Sequence, residues 1–194
     1  MIDNKATSID KVNSAVACGS KSFGGASGGG VFTVQCFDKD GNLKWEESNP
    51  NLVVNVGLRN MNEEFFTGSG YTAALYLGLV NGPGAGNTYA AADAMASHAG
   101  WTENTGYSQS TRVTATFGTA TTADPSVIDN VGSVAVFSIN ATSTIAGAFL
   151  TTNDTKGGTS GILFSVSNFQ SPGDRSVVSG DTLNVTYSFS LDAT

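Results

Sequence analysis

The stretch "TLNVTYSFSL" (182–191) constrains this chain most. Leu183, Val185, Tyr187, Phe189 and Leu191 alternate with Thr182, Asn184, Thr186, Ser188 and Ser190. A helix would scatter those apolar residues around its axis. A strand sends them to one face and the polar residues to the other. A two-period pattern this long therefore predicts a strand with one buried face, with Val185, Tyr187 and Phe189 pointing inward. Such a strand needs neighbours at its edges and a second apolar layer over that face.

The other apolar runs have the right character to be those neighbours. "VFTVQCF" (31–37) and "NLKW" (42–45) flank Asp40-Gly41, a hairpin signal. "AALYLGLV" (73–80), "TRVTATFG", "SVAVFSIN", "TIAGAFLT" and "GILFSVSNF" follow, separated by turn residues. One helix is predicted near 56–66, with Leu58, Met61 and Phe65 spaced along one face and Thr67-Gly68 as its end. A single helix cannot cover both faces of a parallel sheet. The pattern predicts a mainly β protein: an antiparallel β-sandwich of about eight strands, jelly-roll-like, with one short helix. Residues 88–110 are rich in Ala, Ser and Thr and read as a long surface loop, with Trp101 and Tyr107 as its anchors.

"GSKSFGGASGGG" (19–30) holds six glycines and three serines in twelve residues, and no sustained apolar period precedes it. A phosphate loop would need a strand before it, a helix after it and a closing Lys-Ser or Lys-Thr; here Lys21-Ser22 comes before most of the glycines. The division predicted is an extended arm over 1–30 and a sandwich domain over 31–194. Phe23, Gly24, Gly25, Gly28, Gly29 and Gly30 are the arm's candidate contacts with partner chains. Trp101 and Tyr107 are candidate anchors of a loop interface, since such residues are enriched where proteins meet, or equally caps over one end of the sandwich.

Chemistry has little foothold. Asp38, Asp40 and Asn42 match the first ligand places of an EF-hand loop, but Leu43 stands where its glycine belongs and Asn49 where its glutamate belongs. His98 is the only histidine, and Cys18 and Cys36 are the only cysteines. They are expected as reduced thiols, and no metal, cofactor or catalytic centre is expected. Glu63 and Glu64 face different ways on the helix and form no carboxylate pair with Glu46, Glu47 or Glu103 by spacing. The net charge is −7, and nine basic residues in 194 make no patch for nucleic acid. No apolar run reaches the ~20 residues of a membrane span. The opening "MIDNKATSID" lacks an apolar signal region, which predicts synthesis in a cytoplasm. Charged residues are 13%, about half the usual ~25%. That low-charge, small-polar surface suits an all-β protein packed against other proteins.

Four stretches, "GYTAALYLGLVNG", "GWTENTGYSQSTRVTATFG", "VAVFSINATSTIAGAFLTT" and "SGDTLNVTYSFSLDA", resemble a family of small structural proteins of tailed phages. The matching residues are Tyr76, Leu77, Gly78 and Leu79, then Tyr107 and Arg112, then Gly147, Ala148 and Phe149. Ser179, Gly180, Asp181, Thr182, Leu183 and Val185 complete the set. The resemblance covers residues 71–191. It implies a β-sandwich virion protein, either a capsid decoration (cement) protein or a tail or fibre component. As a decoration protein it would bind the major capsid protein and copies of itself, as a trimer on the capsid surface. As an adhesin it would stack host glycans on Trp101 and Tyr107.

Overall fold

The computed structural model describes residues 26–68, 74–83, 86–170 and 173–193. The first sheet contains β1 (Ala26–Phe37), β2 (Leu43–Pro50), β7 (Ser126–Asp129), β8 (Ala135–Ser138) and β12 (Thr182–Ala193). The second contains β3 (Leu52–Val53), β4 (Leu75–Asn81), β5 (Glu103–Asn104), β6 (Val113–Ala115), β9 (Ser143–Thr151), β10 (Leu163–Asn168) and β11 (Arg175–Val177). All pairings are antiparallel. Among the described residues one α-helix, α1 (Asn55–Thr67), lies between β3 and β4. The protein is a mainly β, two-sheet sandwich, as its alternating strands predict.

β12 is the spine of the first sheet. Val185, Tyr187 and Phe189 are buried, whereas Asn184, Thr186 and Ser188 are half-buried on the other face. β1 runs the full length of one side of β12. The other side is shared by β8 over residues 182–185 and by β7 over 188–191. Asn130 spans the break: its amide donates to Val185 O at 3.3 Å and its Oδ1 accepts from Tyr187 N at 2.6 Å. That side chain replaces the strand bonds the gap would leave open.

The glycine stretch is resolved differently from the arm reading. β1 begins at Ala26, and Gly28, Gly29 and Gly30 pair with Leu191, Ser190 and Phe189. The domain therefore starts at least five residues before Val31, and these three glycines belong to its first sheet. Their reason is close approach. An ideal Cβ on Gly30 would lie 2.5 Å from Tyr187 Oη and 2.7 Å from Ser188 O; one on Gly28 would lie 3.0 Å from Phe189 Cζ. The inward positions 28 and 30 of β1 carry no side chain, and the Phe189 and Tyr187 rings occupy that space. Gly29 points outward and a Cβ there meets nothing within 4 Å. Phe23, Gly24 and Gly25 lie outside the described residues. Gly30→Val is expected to cost ~1–3 kcal/mol as overpacking, while Gly29→Val leaves stability unchanged or raised. Paired urea melts of the two variants check this.

The Asp38–Asn42 turn is a hairpin loop. Asp38 Oδ1 accepts from the Asp40 and Asn42 backbone N–H groups, both at 2.9 Å, which engages the carboxylate in the turn itself. Cys36 is a free, buried thiol against Asp181, and burial with that neighbouring carboxylate pushes its pKa up to about 12. Asp181 is held by Lys44 Nζ at 2.5 Å and Val178 N at 2.9 Å.

The core has two parts. The larger lies between the sheets and includes Phe32, Val34, Leu77, Leu79, Phe137, Leu150, Leu183, Val185 and Tyr187. The second lies on the outer face of the second sheet, where Val54, Val80, Met95, Trp101, Ala146, Phe149, Leu163 and Val166 pack together. β9 is consequently buried on both faces from Ile145 to Thr151.

Candidate interface and cleft

Both proposed loop anchors are internal. Trp101 is 2% exposed and Tyr107 is fully buried. Trp101 lies 5.2 Å from the Phe149 ring, is stacked by His98 at 4.0 Å, and donates Nε1–H to Asp93 at 3.1 Å. It fastens the 86–102 segment over the outer face of the second sheet. Tyr107 packs edge-on to Phe137 at 5.0 Å, and burial with the Glu103 carboxylate nearby raises its pKa strongly. The segment read as a surface loop is thus a lid on the second core, because β4 and β9 leave apolar side chains on that face to be covered.

Beside Tyr107 sits the most elaborate polar cluster described. The Arg112 side chain is fully buried and donates to Glu103 Oε2 at 2.7 Å, Asn153 O at 2.9 Å and Gly158 O at 2.7 Å. Its guanidinium also lies 5.2 Å over the Phe149 ring. Lys156 donates to Tyr107 O and Gln109 O and stands 4.5 Å over the tyrosine ring. Every charge here is turned to another part of the same chain, so the arrangement ties strands and loops together. Nothing local in the sequence marks Glu103 and Arg112 as a pair.

The helix departs from its predicted orientation. Gly57 is its buried residue, and an ideal Cβ there would come within 2.4 Å of Phe164 O. The backbone of α1 thus seats directly on β10, and the stripe toward the sheet is Val54, Gly57, Met61 and Glu64. Met61 is common to the predicted and the observed stripe, and the observed one is rotated by roughly 50–60°. Leu58 is consequently 42% exposed, Phe65 81% and Phe66 78%. The two phenyl rings meet edge to face at 4.9 Å.

Next to this end of α1 a cleft of about 680 Å³ opens between the sheets. Its walls include Met61, Glu64, Leu75, Phe117, Ile128, Leu150, Phe164, Tyr187 and Phe189, with the hydroxyl-bearing Thr114, Thr116 and Thr152 among them. Glu64 Oε1 accepts from Asn60 at 3.2 Å, whereas its Oε2 is buried and has no hydrogen-bond partner among the described residues. Burial pushes the Tyr187 hydroxyl up to about 12, so it stays protonated and neutral at ordinary pH. Among the described residues no group of three or more His, Cys, Asp or Glu could hold a metal ion, and no helix is long and apolar enough to cross a membrane. Comparison with protein-family models, with curated proteins and with solved structures finds no match.

Proposed function

We propose that this chain is a structural component of a tailed-phage particle, a capsid decoration protein that binds the outside of the major capsid protein shell and stabilises it. The observation that carries this reading is the apolar end of α1. Phe65 and Phe66 stand in water on the same helix as the exposed Leu58, next to the open cleft. Contiguous apolar surface of this kind marks an interaction site. Low charge elsewhere on the chain suits packing among neighbours, and the strand patterns resemble those of phage structural proteins. The glycan-binding alternative rested on Trp101 and Tyr107 as stacking platforms, and both are buried inside the domain.

The test is attachment. Purified protein is mixed with phage heads lacking it and sedimented with them. Wild type is expected to travel with the heads, and Phe65→Ser/Phe66→Ser to lose attachment at least ~10-fold, the equivalent of ~1.4 kcal/mol. Exposed substitutions usually move stability by under ~0.5 kcal/mol, so the double variant remains folded. Wild type that stays in the supernatant, or a variant that sediments equally well, contradicts the proposal.

A further inference from the structure

Phe117, Phe164, Tyr187 and Phe189 bring four aromatic rings to the cleft wall, and Glu64 brings a carboxylate. The rings stand edge-on in two pairs, Phe164 with Phe189 at 5.6 Å and Phe117 with Tyr187 at 6.2 Å, so neither pair closes face to face. A ring face carries the negative part of the aromatic quadrupole and attracts a cation. Among the described residues no Lys, Arg or His lines the cleft. An anionic guest would lose its water there and meet no counter-charge, whereas a cationic one meets both the rings and a carboxylate. Glu64 Oε2 lacks a hydrogen-bond partner among the described residues, while Asn60 engages Oε1. The oxygen is shut from water as the side chain stands, and χ3 of glutamate is a soft torsion that turns it toward the cleft. A guest that donates a hydrogen bond there satisfies a group that is otherwise costly to bury.

We infer that the cleft binds an organic ammonium: a compact apolar body ending in a primary amine. The ammonium donates to Glu64 Oε2, and the apolar body leaves water to lie against the aromatic wall. A primary ammonium fits better than a quaternary one, since only the former has a hydrogen for the carboxylate. The volume of about 680 Å³ falls among cavities that hold drug-sized molecules, so the guest is larger than an ion or a water. These preferences come from the wall alone, and the inference stands or falls independently of the particle reading.

Methyl-methionine NMR on the full chain tests it with three matched probes. Phenethylamine is cationic, phenethyl alcohol neutral and hydrocinnamate anionic, and all carry the same phenethyl body. Met61 lines the cleft and Met95 lies in the other core, so the two methyl resonances serve as reporter and control. Phenethylamine is expected to move Met61 saturably, with a midpoint in the millimolar range that suits so small a probe, and to leave Met95 in place. The alcohol should bind at least ~10-fold more weakly, and hydrocinnamate more weakly still. Glu64→Gln should bring the amine down to the level of the alcohol, with an unmoved Met95 resonance as the sign that the fold is kept. Should that variant fail to fold, the ranking of the three probes on wild type still decides. A Met61 resonance that none of the probes moves overturns the inference. So does equal binding of all three, or a preference for the amine that survives in Glu64→Gln.

Discussion

Arg112→Met is expected to destabilise the domain by ~3–5 kcal/mol, read as a lowered urea midpoint at unchanged slope. The guanidinium is fully buried and meets a 6% exposed Glu103 at 2.7 Å. Taking away one partner leaves the other charge in the interior, held among the described residues by Gly157 N at 2.8 Å and Tyr107 Oη at 3.4 Å. It also strands the carbonyls of Asn153 and Gly158, which accept from the same guanidinium. The matched experiment removes both charges. Arg112→Met/Glu103→Leu is expected to recover part of the loss, because a buried ion pair replaced whole by apolar groups is often close to neutral. Full recovery is not expected while the two carbonyls lack donors. A single variant that melts like wild type shows that the cluster does not hold the loops to the sheet.

Phe149→Ala is expected to cost a further ~3–5 kcal/mol by the same measurement, as a fully buried large-to-small change. The ring fills the second core, 5.2 Å from Trp101, and lies directly across the strand pair from Gly78. An ideal Cβ on Gly78 would stand 2.2 Å from Phe149 Cζ. The pair therefore makes a second test. Gly78→Ala alone should destabilise the domain, but in the Phe149→Ala background it should cost little, since the added methyl enters the vacated space. The effects of Arg112 and Phe149 are also expected to be non-additive, because the guanidinium lies over that ring. Equal penalties for Gly78→Ala in both backgrounds would mean that the ring does not occupy this position.

What the sequence disclosed follows from how local each signal is. β12 was legible because one face is buried and the other is not, so alternation survives in the residue order. The Asp38–Asn42 hairpin and the end of α1 were legible because turn chemistry is written in consecutive residues; Gly68 closes the helix at φ +62°. The glycines of β1 were not. Composition assigns "GGG" to an arm, and only the rings of Tyr187 and Phe189, more than 150 residues away, explain why side chains are missing there. Of the two readings of Trp101 and Tyr107, interface anchor or sandwich cap, the sequence could not choose for a related reason. "TIAGAFLT" is an unbroken apolar run, the mark of a strand buried on both faces. That run implied a cover over the second sheet, and the 86–102 segment is the cover. The cleft and the exposed phenyl rings depend on Gly57 seating α1 on β10. The helix was readable from its periodicity, but the face it presents was set by this one close approach.

The proposal that this chain coats a phage capsid is tested most directly by the number of copies on a purified particle. Quantitative mass spectrometry against isotope-labelled standards gives that number relative to the major capsid protein. The account predicts copies in a fixed, simple proportion to capsid subunits, released together when the decoration layer is stripped. A few copies per particle, or none, would contradict it.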